Sequence, residues 1–275
     1  DLNFRITATG EKVDLAAILE KKSWESQLNF RFESEGHRNA NLPWTSLVAK
    51  LKADIMPSTI GPVALNRSLI KASYSEGKVE IADLNIHSQN NRLSLQGSLA
   101  SDRHIDLTYK LTAKDFQLLS LFYPQVQVSG EVEGSGSLKG IWPKMSADGE
   151  IKIRNFTTSE LAISDGLIQF AAVKTKGEPG ITTEILLKSV DYKEFNIDNL
   201  KASLKLGEKK IDFNVSAFLK NKAFIHLAGE GANLFAREKE IVFSKVELGY
   251  SGTSWKNSAN INLKVSEKGV SFPDF

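Results

Sequence analysis

Cysteine is missing from this chain of 275 residues, and other features are scarce: there are two methionines, seven prolines, and 35 basic against 33 acidic side chains. The absence of cysteine excludes disulfides and thiolate metal sites, but it suits a reducing and an oxidising compartment equally well. A net charge of +2, evenly mixed along the chain, gives no electrostatic reason to expect nucleic acid as a partner. No apolar run approaches the roughly 18 to 20 residues of a membrane-spanning helix.

Sequence motifs for catalysis are also missing. The chain has no Gly-x-Ser-x-Gly, no His-Glu-x-x-His and no Walker loop, so nucleophilic, zinc-hydrolytic and nucleotide chemistry lack their starting motifs. Asp102, His104 and Asp106 are close in sequence, but a solvated turn beside a strand explains them better than a zinc or acid–base site. The histidines are scattered and form no metal pair: His37, His87, His104 and His226. We therefore expect no enzyme, no catalytic residue, no metal site and no cofactor.

Two further features have simple structural interpretations. The small residues of segment 134–140 do not have the Gly-x-Gly-x-x-Gly spacing of a phosphate-binding loop, and no helix pattern follows them, so a strand rich in small residues is expected. The tryptophans could form an aromatic belt or a sugar platform, but packing at strand ends is the simpler interpretation. They are Trp24, Trp44, Trp142 and Trp255.

Alternation of apolar and polar residues with a period of two dominates the chain and predicts β-strands. In residues 105–113, for example, the odd positions are Ile, Leu, Tyr or Ala, whereas the even positions are Asp, Thr or Lys. Turn signals such as residues 75–78, 101–102 and 207–210 separate the strands at the short spacing of successive antiparallel hairpins. The whole pattern predicts roughly 20 strands.

Two short segments, 14–22 and 115–122, predict helices, and each begins with Asp at the N-cap position. The two segments start 101 residues apart, and Pro43 and Pro143, which follow them, are 100 residues apart. The chain therefore has an internal period of about a hundred residues, which is typical of a stacked, repeat-built body.

This period predicts the domain organisation. We expect a single elongated β-groove segment over residues 1–275, built from repeat units at about 1–100 and 101–200 and a partial unit at 201–275. Because the sequence opens within one strand pattern and stops just after another, we expect it to be a fragment of a larger protein. Two independent globular domains are not expected.

One face of each predicted strand is apolar, and something must keep water from it. Two short helices cannot cover roughly 20 strands, so the sheet either closes into an ordinary sandwich core or forms a trough around a ligand. With strands about 4.8 Å apart, such a trough would be about 95 Å long and about 20 Å wide, which suits acyl-chain lipids. The predicted lipid-lining residues are Leu93, Leu95, Leu99, Ile105, Leu107, Tyr109, Leu111, Val126, Val128, Val132, Ile151, Ile153, Ile185, Leu187, Leu204, Leu206, Phe213, Val215, Leu248, Ile261 and Leu263.

Several segments resemble the TamB family, the inner-membrane-anchored subunits of the translocation and assembly module, which is related to AsmA-like and bridge-like lipid-transfer proteins. They are similar to that family's pattern of strand, turn, proline, strand and asparagine, and to its repeats. The resemblance covers most of the chain and is strongest in residues 65–170. The segments that carry it are 79–86, 93–99, 128–140, Trp142 with Pro143, and 149–155.

The resemblance implies a fold, a function and a location. The implied fold is all-β: an elongated, curved antiparallel β-sheet folded into a taco-like hydrophobic groove, with one or two short helices. The implied function is a hydrophobic conduit for phospholipid transport between the inner and outer membranes of a diderm bacterium, within the periplasm, as part of an inner-membrane-anchored protein. The implied protein partner is a BamA/TamA-like outer-membrane barrel, contacted through regions outside this chain.

An alternative function is that of a periplasmic chaperone or scaffold assisting the assembly and secretion of outer-membrane proteins such as autotransporters. In that case exposed strand edges would receive client strands by β-augmentation. The first hypothesis predicts bound phospholipid, whereas the alternative predicts bound client strands and an apolar face without lipid.

Overall fold

Antiparallel β-strands form almost all of the structure. The computed structural model describes residues 2–20, 24–39, 41–42, 46–117, 127–141, 144–174, 179–207, 210–220, 222–232, 239–266 and 269–272. Within these ranges there are 20 β-strands and one α-helix, and the strands pair antiparallel. The predicted all-β antiparallel fold is therefore confirmed.

The chain divides into two compact units, Asp1–Met145 and Ser146–Phe275. The elements that begin in unit 1 are β1 Leu2–Val13, α1 Leu15–Leu19, β2 Ser26–Arg38, β3 Val48–Ile55, β4 Ser58–Ile60, β5 Val63–Leu65, β6 Ser68–Ser75, β7 Lys78–Ser88, β8 Asn91–Ala100, β9 His104–Ala113, β10 Ser129–Ile141 and β11 Lys144–Thr157, whose last twelve residues belong to unit 2. The remaining strands are β12 Leu161–Lys174, β13 Pro179–Tyr192, β14 Phe195–Leu206, β15 Lys210–Leu219, β16 Ala223–Ala232, β17 Lys239–Tyr250, β18 Thr253–Lys256, β19 Ile261–Ser266 and β20 Gly269–Ser271. The single elongated body with a hundred-residue period stays a prediction.

In unit 1 the paired strands follow the order β1-β2-β3-β6-β7-β8-β9-β10. The strands β4 and β5 form a small hairpin between β3 and β6, and β4 pairs with the first residues of β2. Within the described residues β1 pairs with β2 alone, so the sheet of this unit is not closed.

In unit 2 consecutive strands pair in chain order from β11 to β17. Both β18 and β19 then pair with β17, which is long enough to hold one after the other, and β20 pairs with β19. This hairpin order follows from the short turns between the strands, because a turn of a few residues can join only antiparallel neighbours.

The helix α1 lies where the sequence predicts it. Asp14 is its N-cap, and one carboxylate oxygen accepts hydrogen bonds from the backbone N–H of Ala16 at 3.0 Å and of Ser26 at 2.9 Å. Asp115, the N-cap predicted for the second helix, accepts from the backbone N–H of Gln117 at 2.9 Å. Residues 118–122 of that segment lie outside the described residues. The same Asp-to-backbone bond therefore occurs at two positions 101 residues apart.

Few side chains are buried in this fold. Among the described residues, the buried hydrophobic side chains are Val63, Ile163, Val190, Ala202 and Ala217. A closed sandwich of this many strands would bury the facing side chains of both layers. The apolar side chains of these sheets instead remain partly accessible to solvent.

Buried serines satisfy backbone groups at one end of the strands in unit 1. Ser26 accepts a hydrogen bond from the backbone N–H of Leu15 at 2.6 Å, and Ser68 accepts one from that of His87 at 2.9 Å. A buried N–H without a partner costs free energy. These hydroxyl groups therefore stabilise the backbone at positions where no neighbouring strand supplies a hydrogen-bond acceptor.

Candidate functional site

In unit 1 the strand register joins the apolar positions into rows that cross the sheet. Directly opposed residues of antiparallel strands lie on the same face. One such row consists of Ile6, Ser34, Leu51, Ala72, Ile81, Gly97, Leu107 and Leu138. The next row consists of Ala8, Phe32, Ala53, Ile70, Leu84, Leu95, Tyr109 and Gly136. We call the face formed by such rows the apolar face.

Unit 2 has an apolar face built in the same way. One row consists of Ile151, Ile168, Ile185, Ala202, Val215, Leu227 and Val246. A second row consists of Gly149, Phe170, Thr183, Leu204, Phe213, Gly229, Phe243 and Ile261. The ring centroids of Phe213 and Phe243 are 5.6 Å apart and the rings meet edge to face, which is a favourable aromatic geometry.

The pairing of four neighbouring strands in unit 2 is interrupted along one line. The unpaired positions are Asn155 on β11, Ser164 on β12, Ser189 on β13 and Asp198 on β14. Beyond this line, the alternation of apolar and polar residues is shifted by one position along each strand. On β14, for example, the apolar residues Leu200 and Ile197 are three positions apart, and Ile197 pairs with Leu219.

Strand β15 shows that the apolar face continues across this interruption. It carries no extra residue, so Leu219 lies on the same face as Ala217, two positions earlier. The partners Ile197, Val190 and Ile163 therefore also lie on the apolar face, and the last two are among the buried hydrophobic residues. One extra residue in each of four strands thus extends the apolar face instead of ending it.

The predicted lining residues that belong to strands lie on these faces, Val128 precedes β10, and none of those described is buried. Val126 lies outside the described residues. Four of the others are exposed: Leu93, Leu99, Leu111 and Leu248. The remaining ones are half-buried: Leu95, Ile105, Leu107, Tyr109, Val128, Val132, Ile151, Ile153, Ile185, Leu187, Leu204, Leu206, Phe213, Val215, Ile261 and Leu263. A face with this accessibility can still bury a ligand.

A cavity opens on the apolar face of unit 1. It has a volume of about 310 Å³, and its lining is entirely apolar. Its wall consists of Ala8, Leu28, Phe30, Phe32, Ala53, Ile55 and Ile70. A cavity of this size and character accepts a segment of hydrocarbon chain and offers no hydrogen bond to a polar ligand.

The opposite face of each unit is polar. In unit 1 it carries ion pairs between residues two apart on one strand, such as Arg31 with Glu33 at 2.6 Å and Lys52 with Asp54 at 3.0 Å. A concavity of about 680 Å³ on this face is lined largely by hydrogen-bonding side chains such as Arg92. Acyl chains would leave those groups without partners, so the polar face does not suit them.

Ion pairs on the polar face lower the pKa of three carboxyl groups. The hydrogen bond from Lys52 lowers the pKa of Asp54, although burial acts in the opposite direction. Hydrogen bonds from Lys152 to Glu150 and from Lys245 to Glu247 lower the pKa of those two groups. At neutral pH these carboxylates are charged, which keeps this face hydrated.

A turn at residues 101–102 comes shortly before His104, the first residue of β9. The backbone N–H of His104 donates to the Asp102 carboxylate at 3.0 Å, while the Asp106 carboxylate lies 3.6 Å from the ammonium group of Lys139. Within the described ranges no group of three or more His, Asp or Glu side chains could hold a metal ion. The part of the chain that the structure describes also has no helix long and apolar enough to cross a membrane.

The segment rich in small residues is the strand β10, as predicted. Gly134 pairs with Leu111, Gly136 with Tyr109. Small residues thus lie opposite large ones, which gives the large side chains space on the apolar face. Trp24 is half-buried, whereas Trp255 is exposed at the end of a strand, so the expectation that tryptophans pack at strand ends is wrong for Trp255. Trp44 and Trp142 lie outside the described residues.

Sequence reasoning missed part of the apolar face. Phe30 and Phe32 alternate with polar residues in the same way as the predicted lining, so the period of two could have identified them. Ile81 and Leu84 could not be found in that way, because an extra residue in β7 puts them three positions apart on one face. Ile168 lies in a run of apolar residues whose alternation is hidden by Leu167, on the opposite face.

No protein-family model, curated protein or solved structure matches this chain. The resemblance to the TamB family therefore stays a prediction.

Proposed function

We propose that the apolar faces bind the acyl chains of phospholipids and form a conduit for phospholipid transport between the inner and outer membranes of a diderm bacterium. In this proposal the chain is the periplasmic part of a TamB-like, inner-membrane-anchored protein, and a BamA/TamA-like outer-membrane barrel is contacted through other regions. No catalytic step is involved. The protein supplies a surface on which lipid moves.

The observation that supports this proposal is the accessibility of the apolar face in each unit. Rows of Ile, Leu, Val and Phe cross seven or eight strands, and the described lining residues are half-buried or exposed. A stable soluble protein rarely leaves a contiguous apolar surface of this kind without a partner. The cavity bounded by Phe30 and Phe32 supports the proposal, because its size and apolar lining suit a hydrocarbon segment.

The energetics of this surface suit transport. Each buried methylene contributes about 0.8 kcal/mol, so ten of them hold a lipid by roughly 8 kcal/mol. Because one row resembles the next, the lipid exchanges one set of apolar contacts for a similar set when it moves. Displacement along the face therefore changes its binding free energy little.

Bound lipid is the direct test of this proposal. The purified protein is extracted with organic solvent, and the extract is analysed by mass spectrometry. We expect phospholipids in stoichiometric amounts. A folded monomer that carries no lipid, and takes up none from vesicles, would contradict the proposal.

A strand edge favours the chaperone or scaffold as a second candidate function. The twelve-residue strand β1 pairs with β2 on one side only, within the described residues, and Leu2 and Ile6 on it are exposed. An edge of this length can accept an extended client segment. Photo-crosslinking from Thr7 on this edge to nascent outer-membrane proteins, together with an apolar face free of lipid, would favour this function over lipid transport.

A further inference from the structure

One end of the strands in unit 2 carries a line of aromatic side chains. They lie within three positions of the hairpin turns β13–β14, β15–β16 and β17–β18, which are at the same end of the strands. We call this line the aromatic rim: Tyr192, Phe195, Phe218, Phe224, Tyr250 and Trp255. Five of these side chains are between 43% and 62% exposed, and Phe224 is half-buried.

Backbone pairing places these turns side by side. Tyr192 pairs with Phe195, and Phe218 pairs with Phe224. The backbone N–H of Lys193 donates to the carbonyl oxygen of Glu160 at 3.2 Å, which joins the β12 end to the β13–β14 turn. From β13 to β18 the rim crosses five strand spacings of about 4.8 Å and is therefore about 24 Å long.

The aromatic rim occupies both faces of the sheet. Phe218 and Phe224 lie on the polar face, with ring centroids 6.2 Å apart, and the ring of Phe224 covers Gly249. Tyr250 pairs with Ala223 on the side of the apolar face. Tyr192, Phe195 and Trp255 also lie on the side of the apolar face, so Phe218 and Phe224 are the part of the aromatic rim that the groove does not account for.

Lysines accompany the aromatic residues: three lie in the first two turns, and the fourth ends β18, four positions beyond the third turn. They are Lys193, Lys220, Lys222 and Lys256. The ammonium group of Lys193 lies 5.4 Å from the ring centroid of Tyr192. Lys193 and Lys220 also lie 3.7 and 3.6 Å from Glu160 and Asp191, in exposed ion pairs that contribute little free energy. Their ammonium groups can therefore exchange these carboxylates for lipid phosphates.

We propose that the aromatic rim is a docking surface for a phospholipid bilayer. Tyrosine and tryptophan concentrate at the level of lipid headgroups, where the ring contacts hydrocarbon and the polar atom contacts water. Lysine stems extend along the same layer and present their charge to phosphates. A protein partner would be met by one compact patch, whereas a line of separate turns fits a flat surface.

The turns of unit 1 show that this composition is not general to the fold. Within three positions of segments 75–78, 89–90 and 101–103, which join neighbouring strands there, Tyr74 is the single aromatic residue, and it is half-buried. Phe218 and Phe224 lie on the polar face, so their part in bilayer docking can be tested without changing the groove. The two proposals can therefore fail separately.

Vesicle flotation tests the docking proposal. The probe is a vesicle of phosphatidylethanolamine and phosphatidylglycerol, and the test variant combines Phe195→Ser, Tyr250→Ser and Trp255→Ser. The matched control combines Ile18→Ser, Leu19→Ser and Leu42→Ser, three exposed apolar residues of unit 1. We expect the unaltered protein and the control to float, and the rim variant to lose about tenfold or more in partitioning.

Three outcomes would overturn the proposal: an unaltered protein that does not float, a rim variant that floats equally well, or a control that loses as much as the rim variant. Phe195→Ser alone changes a side chain that is largely exposed, so it keeps the test valid should the triple variant not fold. Its partitioning should fall about threefold, and an unchanged value counts against docking.

Two further measurements separate this surface from the groove. Lipid extracted from a Phe218→Ser variant should equal that of the unaltered protein while its vesicle partitioning falls, because Phe218 lies on the polar face, outside the cavity and the predicted lining. A variant with glutamine at the four rim lysines should bind vesicles containing phosphatidylglycerol severalfold less, and more so at low salt. Equal binding would overturn the role of the lysines.

Discussion

Gly97 on β8 lies directly opposite Leu107 on β9, and its φ is 131°, a backbone conformation that residues with a side chain rarely adopt. A Cβ at this position would overlap the backbone carbonyl oxygen of Asp106. Gly97→Ala should therefore lower the free energy of unfolding by about 2 kcal/mol or more. Gly180→Ala is the control, because nothing lies within 4 Å of a Cβ there. Urea unfolding measures the free energy of unfolding of both variants. An equal decrease in the two would contradict the claim that Gly97 has no space for a side chain.

Leu107 and Thr108 are neighbours on β9 that face opposite sides of the sheet, which makes them a matched pair for testing the apolar face. Leu107→Asp puts a charge where acyl chains would lie, so extracted phospholipid should fall by about tenfold or more. Thr108→Asp adds the same charge to the polar face and should leave the lipid content unchanged. Both variants are first checked for folding by circular dichroism. Equal loss of lipid in the two would contradict the assignment of the faces.

Asp14 holds the start of α1 to the start of β2 through its bonds to Ala16 and Ser26. Asp14→Ala removes the oxygen that accepts both bonds and should cost about 1 to 2 kcal/mol of unfolding free energy, whereas Asp14→Asn keeps an acceptor oxygen and should cost less. Thermal unfolding of the two variants provides the comparison. If asparagine is no better than alanine, the hydrogen bonds are not the source of the effect.

The polar face predicts how stability depends on pH. Since the folded-state pKa values of Asp54, Glu150 and Glu247 lie below their ordinary values, their contribution is present at neutral pH and is lost as the pH falls through the folded values. Stability should be nearly level from pH 7 to about 5 and should decline below about pH 4.

Amide substitutions isolate that contribution. A variant combining Asp54→Asn, Glu150→Gln and Glu247→Gln should be less stable at pH 7 and should lose less between pH 5 and pH 3. Urea unfolding across this range measures both slopes. Parallel curves for the variant and the unaltered protein would show that these carboxylates do not contribute.

Much of the fold could be predicted from local sequence. Alternation predicts the strands because each pleat turns successive side chains to opposite faces, and Asp14 marks α1 because an aspartate satisfies the unpaired N–H groups of a first turn. The lining residues Ile105 and Leu107 lie on the predicted face since their strand has no irregularity.

Features that depend on several strands could not be predicted. The extra residue between Ile81 and Leu84 becomes visible only when β7 is placed against β8. The aromatic rim has the same origin, because Phe195 and Tyr250 lie far apart in the chain and meet along one edge only through the strands between them. Exposure of Trp255 likewise depends on where the sheet ends.

Asn155, Ser164, Ser189 and Asp198 form one unpaired line across four neighbouring strands. A change in the length of one of these strands must therefore be matched in the other three. Deletion of Asn155 alone would turn Phe156 toward water while its partner Ile163 stayed in place. Removal of all four residues together would again place the apolar residues of the four strands on one face. Insertions and deletions in this region can therefore be accepted during evolution, or in an engineered variant, only as coordinated sets of four.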